Sequence, residues 1–96
     1  MGTTAARKAR MIVRNTQDVL ADELMTACQA IDIRRRLNTH GQGITALHQA
    51  LYAHVREKVD FYEVDREIWP DIRACEEMIR SGELLTIVKE YLPELA

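Results

Sequence analysis

Ninety-six residues make one domain at most, and 13 basic side chains against 15 acidic ones leave almost no net charge. The lack of a basic excess argues against a nucleic-acid binder, and one Phe, one Trp and three Tyr offer no platform for base stacking. No apolar run is long enough to span a membrane, and Cys28 and Cys75, far apart and outside any Cys-x-x-Cys, read as reduced, buried thiols of a cytoplasmic protein.

The first predicted element is one long helix, over residues 3–37. Its start is basic (Arg7, Lys8, Arg10, Arg14) with no acid before Asp18, which imitates a transit peptide. The same periodicity runs unbroken into Leu24 and Ile31, so the segment is read as structure. Ile12, Thr16, Leu20, Leu24, Ala27 and Ile31 step by three and four and form one apolar stripe. No Gly or Pro interrupts the stretch from Thr3 to Leu37, which at 1.5 Å per residue is about 50 Å long. Arg34, Arg35 and Arg36 complement the dipole at its C-terminal end. With no second basic cluster, that run is not read as a phosphate or nucleic-acid patch.

Asn38 to Gly43 is turn chemistry, with two glycines and an Asn. Thr45 caps the next helix, whose apolar side is Ile44, Leu47, Leu51, Val55 and Val59; the helical remainder spans residues 44–92. Phe61 to Trp69 is a connector, Pro70 suits a first helical turn, and Ile72, Cys75, Met78 and Ile79 give the third helix its apolar side before Gly82 stops it. Leu84, Leu85, Ile87, Val88 and Tyr91 form a short last helix, closed before Pro93. The class is all-α: one long N-terminal helix followed by three shorter helices, a piece of a larger helical bundle. Three short helices cannot cover a helix of that length. The packing residues Ile12, Leu20, Leu24, Ala27 and Ile31 are therefore expected to meet another chain or further parts of the same protein.

Little in the chain promises chemistry. His48 and His54 are six apart, which is neither helical ligand spacing, and no carboxylate completes a metal site with them or with His40. No nucleophile elbow, phosphate-cradling glycine loop or dinucleotide fingerprint occurs. Cys28 has only acids, Asp22, Glu23 and Asp32, as nearby charges within its helix, which disfavours a thiolate. Asp65, Arg66 and Asp71 are read as structural, the first two pinning the connector and Asp71 favouring the start of the third helix. Glu76-Glu77 reads as a solvated helix face.

Several short motifs, in order, resemble one family. They are Met1-Gly2 at the head of the long helix, Glu23-Leu24, Ala27-Cys28-Gln29-Ala30 and Asp32 along it, and Leu51-Tyr52, Val55-Arg56 and Val59 on the next. Asp65-Arg66, Pro70-Asp71-Ile72 and Ser81-Gly82-Glu83-Leu84 close the set. Each is weak alone; together they resemble the C-terminal part of the histidine/aromatic amino acid ammonia-lyase family, over nearly the whole chain. Ile68-Trp69 and the loop 38–43 depart from the family's pattern and leave the substrate open.

The resemblance implies an enzyme that eliminates ammonia from an α-amino acid, or a related aminomutase, with a methylidene-imidazolone electrophile formed from an internal Ala-Ser-Gly. This chain contains no Ala-Ser-Gly, so no cofactor is expected to form in it and no catalytic or metal role is carried onto its residues, Tyr52, Tyr62 and Tyr91 included. The expectation is a helical scaffold and oligomerisation region, inactive alone, whose partner is itself or the N-terminal part of the parent enzyme, with neither nucleic acid nor membrane. The alternatives are a free-standing helical interaction module and a small helical enzyme of chorismate mutase type. The latter would use Arg7, Arg10 and Arg14 but lacks a matching motif on the second helix.

Overall fold

Residue Gly2 opens a single helix, α1 (Gly2–Arg36), that runs 35 residues without a break. The structure, a computed structural model, describes residues 2–37, 43–63 and 66–95. Thr16, mid-helix, turns its hydroxyl back onto the Ile12 carbonyl at 2.8 Å, so it leaves no unpaired donor. Arg34, Arg35 and Arg36 occupy the last turn, where cations meet the partial negative charge of unpaired carbonyls.

Helix α2 (Ala46–Arg56) starts where Thr45 accepts a hydrogen bond from the His48 amide at 3.2 Å, the expected cap. Helix α3 (Trp69–Ser81) has Pro70 in its first turn and Asp71 beside it. It ends at Gly82, whose φ of 83° lies in the left-handed region that costs a glycine nothing and a Cβ-bearing residue about 1 kcal/mol or more. The same glycine lets the chain turn straight into α4 (Glu83–Tyr91). A 3₁₀ turn, Pro93–Leu95, follows. Among the described residues there is no strand, and no helix is long and apolar enough to cross a membrane. The fold is all-α, with one long helix followed by three shorter ones, as the periodicity predicts.

The core is small: Ala21, Met25 and Cys28 from α1, Val55 from α2, Val59 just beyond it, and Cys75 and Met78 from α3. Leu24, Tyr52, Tyr62, Ile72, Ala74, Ile79 and Leu84 pack around it half-buried. The most extensive packing is α1 on α3. Small residues, Ala21, Cys28 and Cys75, let the two helices approach closely at their crossing. Trp69 and Ile72 line one cleft with Asp22, whereas Glu76 and Arg80 also line a second with Arg10 and Arg14, so α3 runs back along α1 in the opposite direction.

The face of α1 that packs inside the chain is therefore Ala21, Met25 and Cys28, with Leu24 at its side. Ile12 is 64% exposed and Leu20 44% exposed, Ala27 is exposed and Ile31 is half-buried. A step of three or four fits either side of a helix with apolar residues on both. Here the side with the smaller residues meets α3, because only there can the backbones come close. The molecule is a slab, 56 × 39 × 19 Å.

Candidate functional site

The strongest polar cluster lies where α1 and α2 face each other. Asp32, four residues beyond the buried Cys28, points to the same side of α1 and meets Arg56, the last residue of α2. Arg56 donates to Asp32 Oδ2 from Nη2 at 2.6 Å and from Nε at 3.0 Å, and its Nη1 donates to the Val59 carbonyl at 2.9 Å. The Tyr52 hydroxyl, one turn earlier on α2, donates to the other oxygen, Oδ1. Both charged side chains keep only 15–16% of their surface in water.

Burial alone would raise the Asp32 pKa, but the Tyr52 and Arg56 hydrogen bonds and the Arg56 charge outweigh it and hold the carboxyl below its ordinary value. Burial works against the Arg56 charge too, and its bonds to Asp32 and Tyr52 push that pKa up. The cluster is thus a charged pair with its lone pairs and protons satisfied, which is what a semi-buried ion pair requires.

Around it, Arg35 Nη2 donates to Gln49 Oε1 and its guanidinium lies 4.9 Å from the Tyr52 ring centre. Arg36 sits 3.9 Å over the Phe61 ring and pairs with Glu63 at 2.7 Å. Gln29 Nε2 donates to the Tyr62 carbonyl at 2.8 Å, tying the connector to α1. Long polar side chains, more than close backbone packing, hold α2 and the connector against α1. A second joint links α2 to α4, His54 Nε2 lying 2.9 Å from Glu83 Oε2. The His54 contact draws the Glu83 pKa down. His48 is exposed and His40 lies outside the described residues.

Neither thiol is poised to react. Burial pushes the Cys75 thiol up to about 11, with the neighbouring Cys28 adding to it. Cys28 is raised first by burial and further by Asp32, against a lowering from Arg56. Both are free and buried. No group of three potential metal ligands forms among the described residues.

The polar residues singled out at the connector come together in part. Arg66 Nη2 donates to Asp71 Oδ2 at 2.9 Å and to the Asp60 carbonyl at 2.7 Å, which bridges the connector to the first turn of α3. Asp65 lies outside the described residues. Glu76 departs from the solvated face expected of it. It is half-buried against α1, where the Asp18 carboxyl beside it raises its pKa. Glu77, one residue on, is exposed and 3.8 Å from Arg80.

Sequence spacing does not join Asp32, Tyr52 and Arg56 into one cluster, because Asp32 and Arg56 are 24 residues apart. The one available signal was the four-residue spacing of Tyr52 and Arg56, which puts an aromatic donor and a cation on the same face of α2.

The sequence model described as aromatic amino acid lyase matches residues 1–57. A histidine ammonia-lyase of Caldanaerobacter subterraneus subsp. tengcongensis is 46% identical over 94% of the chain, and one of Clostridium tetani is 43% identical, also over 94%. The chain belongs to the aromatic amino acid lyase family. A tyrosine ammonia-lyase of Cupriavidus metallidurans is 38% identical over the whole chain. The chain spans 17% of the length of each of these relatives. No solved structure matches it.

The electrophile that the resemblance implies would form from Ala-Ser-Gly, and the residues here do not fit it. The one Ser-Gly of the chain, Ser81-Gly82, follows Arg80 and closes α3. The Ser81 hydroxyl donates to the Met78 carbonyl at 3.2 Å and accepts from the Glu83 amide at 3.3 Å, so it is committed to the helix junction.

Proposed function

We propose that this chain is the C-terminal helical scaffold and oligomerisation region of an amino acid ammonia-lyase acting on histidine or an aromatic amino acid, without catalytic competence of its own. The observation that carries the proposal is the pairing of a full-length match with a missing chemistry. Some 94% of the chain aligns with 17% of a histidine ammonia-lyase, and no Ala-Ser-Gly lies within it. What the chain does contain is joints: Asp32 with Arg56, His54 with Glu83, Arg66 with Asp71. Joints of this kind hold a frame rigid behind a reacting centre.

The exposed Ile12 and Leu20 support the oligomerisation role, because a soluble monomer rarely leaves a long apolar face in water. The partner is a second copy or the rest of the parent enzyme, and two free thiols suit the cytoplasm.

The test is direct. The purified chain, given histidine, phenylalanine or tyrosine, is expected to produce no conjugated acid by ultraviolet absorbance. Light scattering is expected to report an oligomer. Turnover above a buffer blank, free of host enzyme, overturns the scaffold reading. A monodisperse monomer with a cooperative, concentration-independent melt overturns the oligomerisation part.

A further inference from the structure

On the side of α1 turned away from α3, Lys8, Ile12, Val19 and Glu23 follow one another by steps of four, seven and four. Such steps stack side chains on one face of a helix. All four are exposed, Ile12 at 64% and Val19 at 55%. Ala21, which faces the core, is two residues from Val19 and so lies about 200° round the helix from it. Helix α1 therefore carries two apolar sides, and only one is used within the chain.

The order of the outer residues is cation, aliphatic, aliphatic, anion. Turned end for end about the point between Asn15 and Thr16, that series is its own complement. We infer that α1 pairs antiparallel with α1 of a second copy about this point, Lys8 against Glu23 and Ile12 against Val19, each contact made twice by symmetry. The inference rests on the oligomerisation reading above and fixes its partner, surface and register.

Three observations carry it. Neither Lys8 nor Glu23 holds a salt bridge among the described residues, so each is available. Charge along α1 is blocked the same way, with Arg7, Lys8, Arg10 and Arg14 before any acid and Asp18, Asp22 and Glu23 with no cation among them. The antiparallel register lays one block over the other, whereas a parallel pairing sets like over like. Thr16, at the centre, has already placed its hydroxyl on the Ile12 carbonyl and brings no unpaired donor into the contact.

The experiment is sedimentation equilibrium on the full chain, with helicity followed by circular dichroism to confirm that each variant is folded. Glu23→Lys and Lys8→Glu alone are each expected to weaken association by about tenfold, since two facing pairs become two repulsions of modest size. The double variant, Lys8→Glu with Glu23→Lys, restores the pairing and is expected to recover the wild-type constant to within about threefold. An oligomer that ignores the single changes, or that the double change fails to rescue, overturns the pairing while the oligomerisation reading stands, with another face or a different chain as the occupant. A wild-type chain that stays monomeric overturns both.

Discussion

Replacing Asp32 with Asn keeps its shape and removes its charge. In the folded chain Asp32 accepts from the Tyr52 hydroxyl and from two nitrogens of Arg56, and the pair is about five-sixths out of water, at 15–16% exposure. Hydrogen bonds to a charged group contribute about 1.5–3 kcal/mol. Breaking a fully buried pair costs about 3–5 kcal/mol because the abandoned charge stays buried. Arg56 keeps its bond to the Val59 carbonyl and some water, so the expected loss is about 2–3 kcal/mol. For a domain of this size that lowers Tm by roughly 8–24 °C.

The pH dependence follows from the sign of the shift. Asp32 has a folded pKa below its unfolded value, so its contribution is complete above the unfolded pKa, about 3.9, and is lost as pH falls through the folded one. The wild-type chain should therefore lose stability between about pH 5 and the folded pKa more steeply than Asp32→Asn does. Thermal melts followed by circular dichroism at neutral and acid pH read both effects. An unchanged Tm at pH 7, or parallel acid profiles for the two proteins, would refute the account of the cluster. A double-mutant cycle with Arg56→Met separates the pair from the burial of either partner.

Glu76 behaves in the opposite sense. Its folded pKa is raised by Asp18, so stability falls as pH rises from the unfolded pKa through the folded one, and Glu76→Gln should raise Tm at pH 7 and flatten that slope; a lowered Tm there refutes the unfavourable meeting of the two carboxyls. Cys28 and Cys75 should react with a thiol reagent only on unfolding, and rapid labelling of the native chain would show that burial does not protect them. Asp71→Ala removes both the Arg66 bridge and a carboxylate in the first turn of α3, so a modest loss of about 0.5–1.5 kcal/mol is expected by denaturant titration. No change in association should accompany it.

Elements declare themselves in this sequence where a single residue decides a boundary. Thr45, Pro70 and Gly82 each act within one turn, so their roles follow from residue type alone. The apolar sides of the short helices behave the same way: Val55, Cys75 and Met78 are buried as their spacing predicts. The long helix is different. With apolar residues on two sides, its periodicity could not say that Ala21, Met25 and Cys28 face α3 while Ile12 and Leu20 face outward, because that choice depends on what α3 brings to the crossing. The polar joints were hidden for a related reason. Asp32 with Arg56, and His54 with Glu83, are separated by 24 and 29 residues, and only the packed helices reveal them.

The slab is 19 Å thick, about two helix diameters, and one of its long edges is the single rod of α1. Its buried residues come only from the second half of that rod, from Ala21 onward. The first half adds no residue to the core, though Asp18 meets Glu76 of α3, while isolated helices shorter than about 12–15 residues are marginal in water. Backbone amide exchange should therefore grade along one continuous helix, fast in the turns around Arg7 and slowest near Met25 and Cys28. The rod is a beam clamped at one end, and whatever docks on its free end sets how much of its length stays helical.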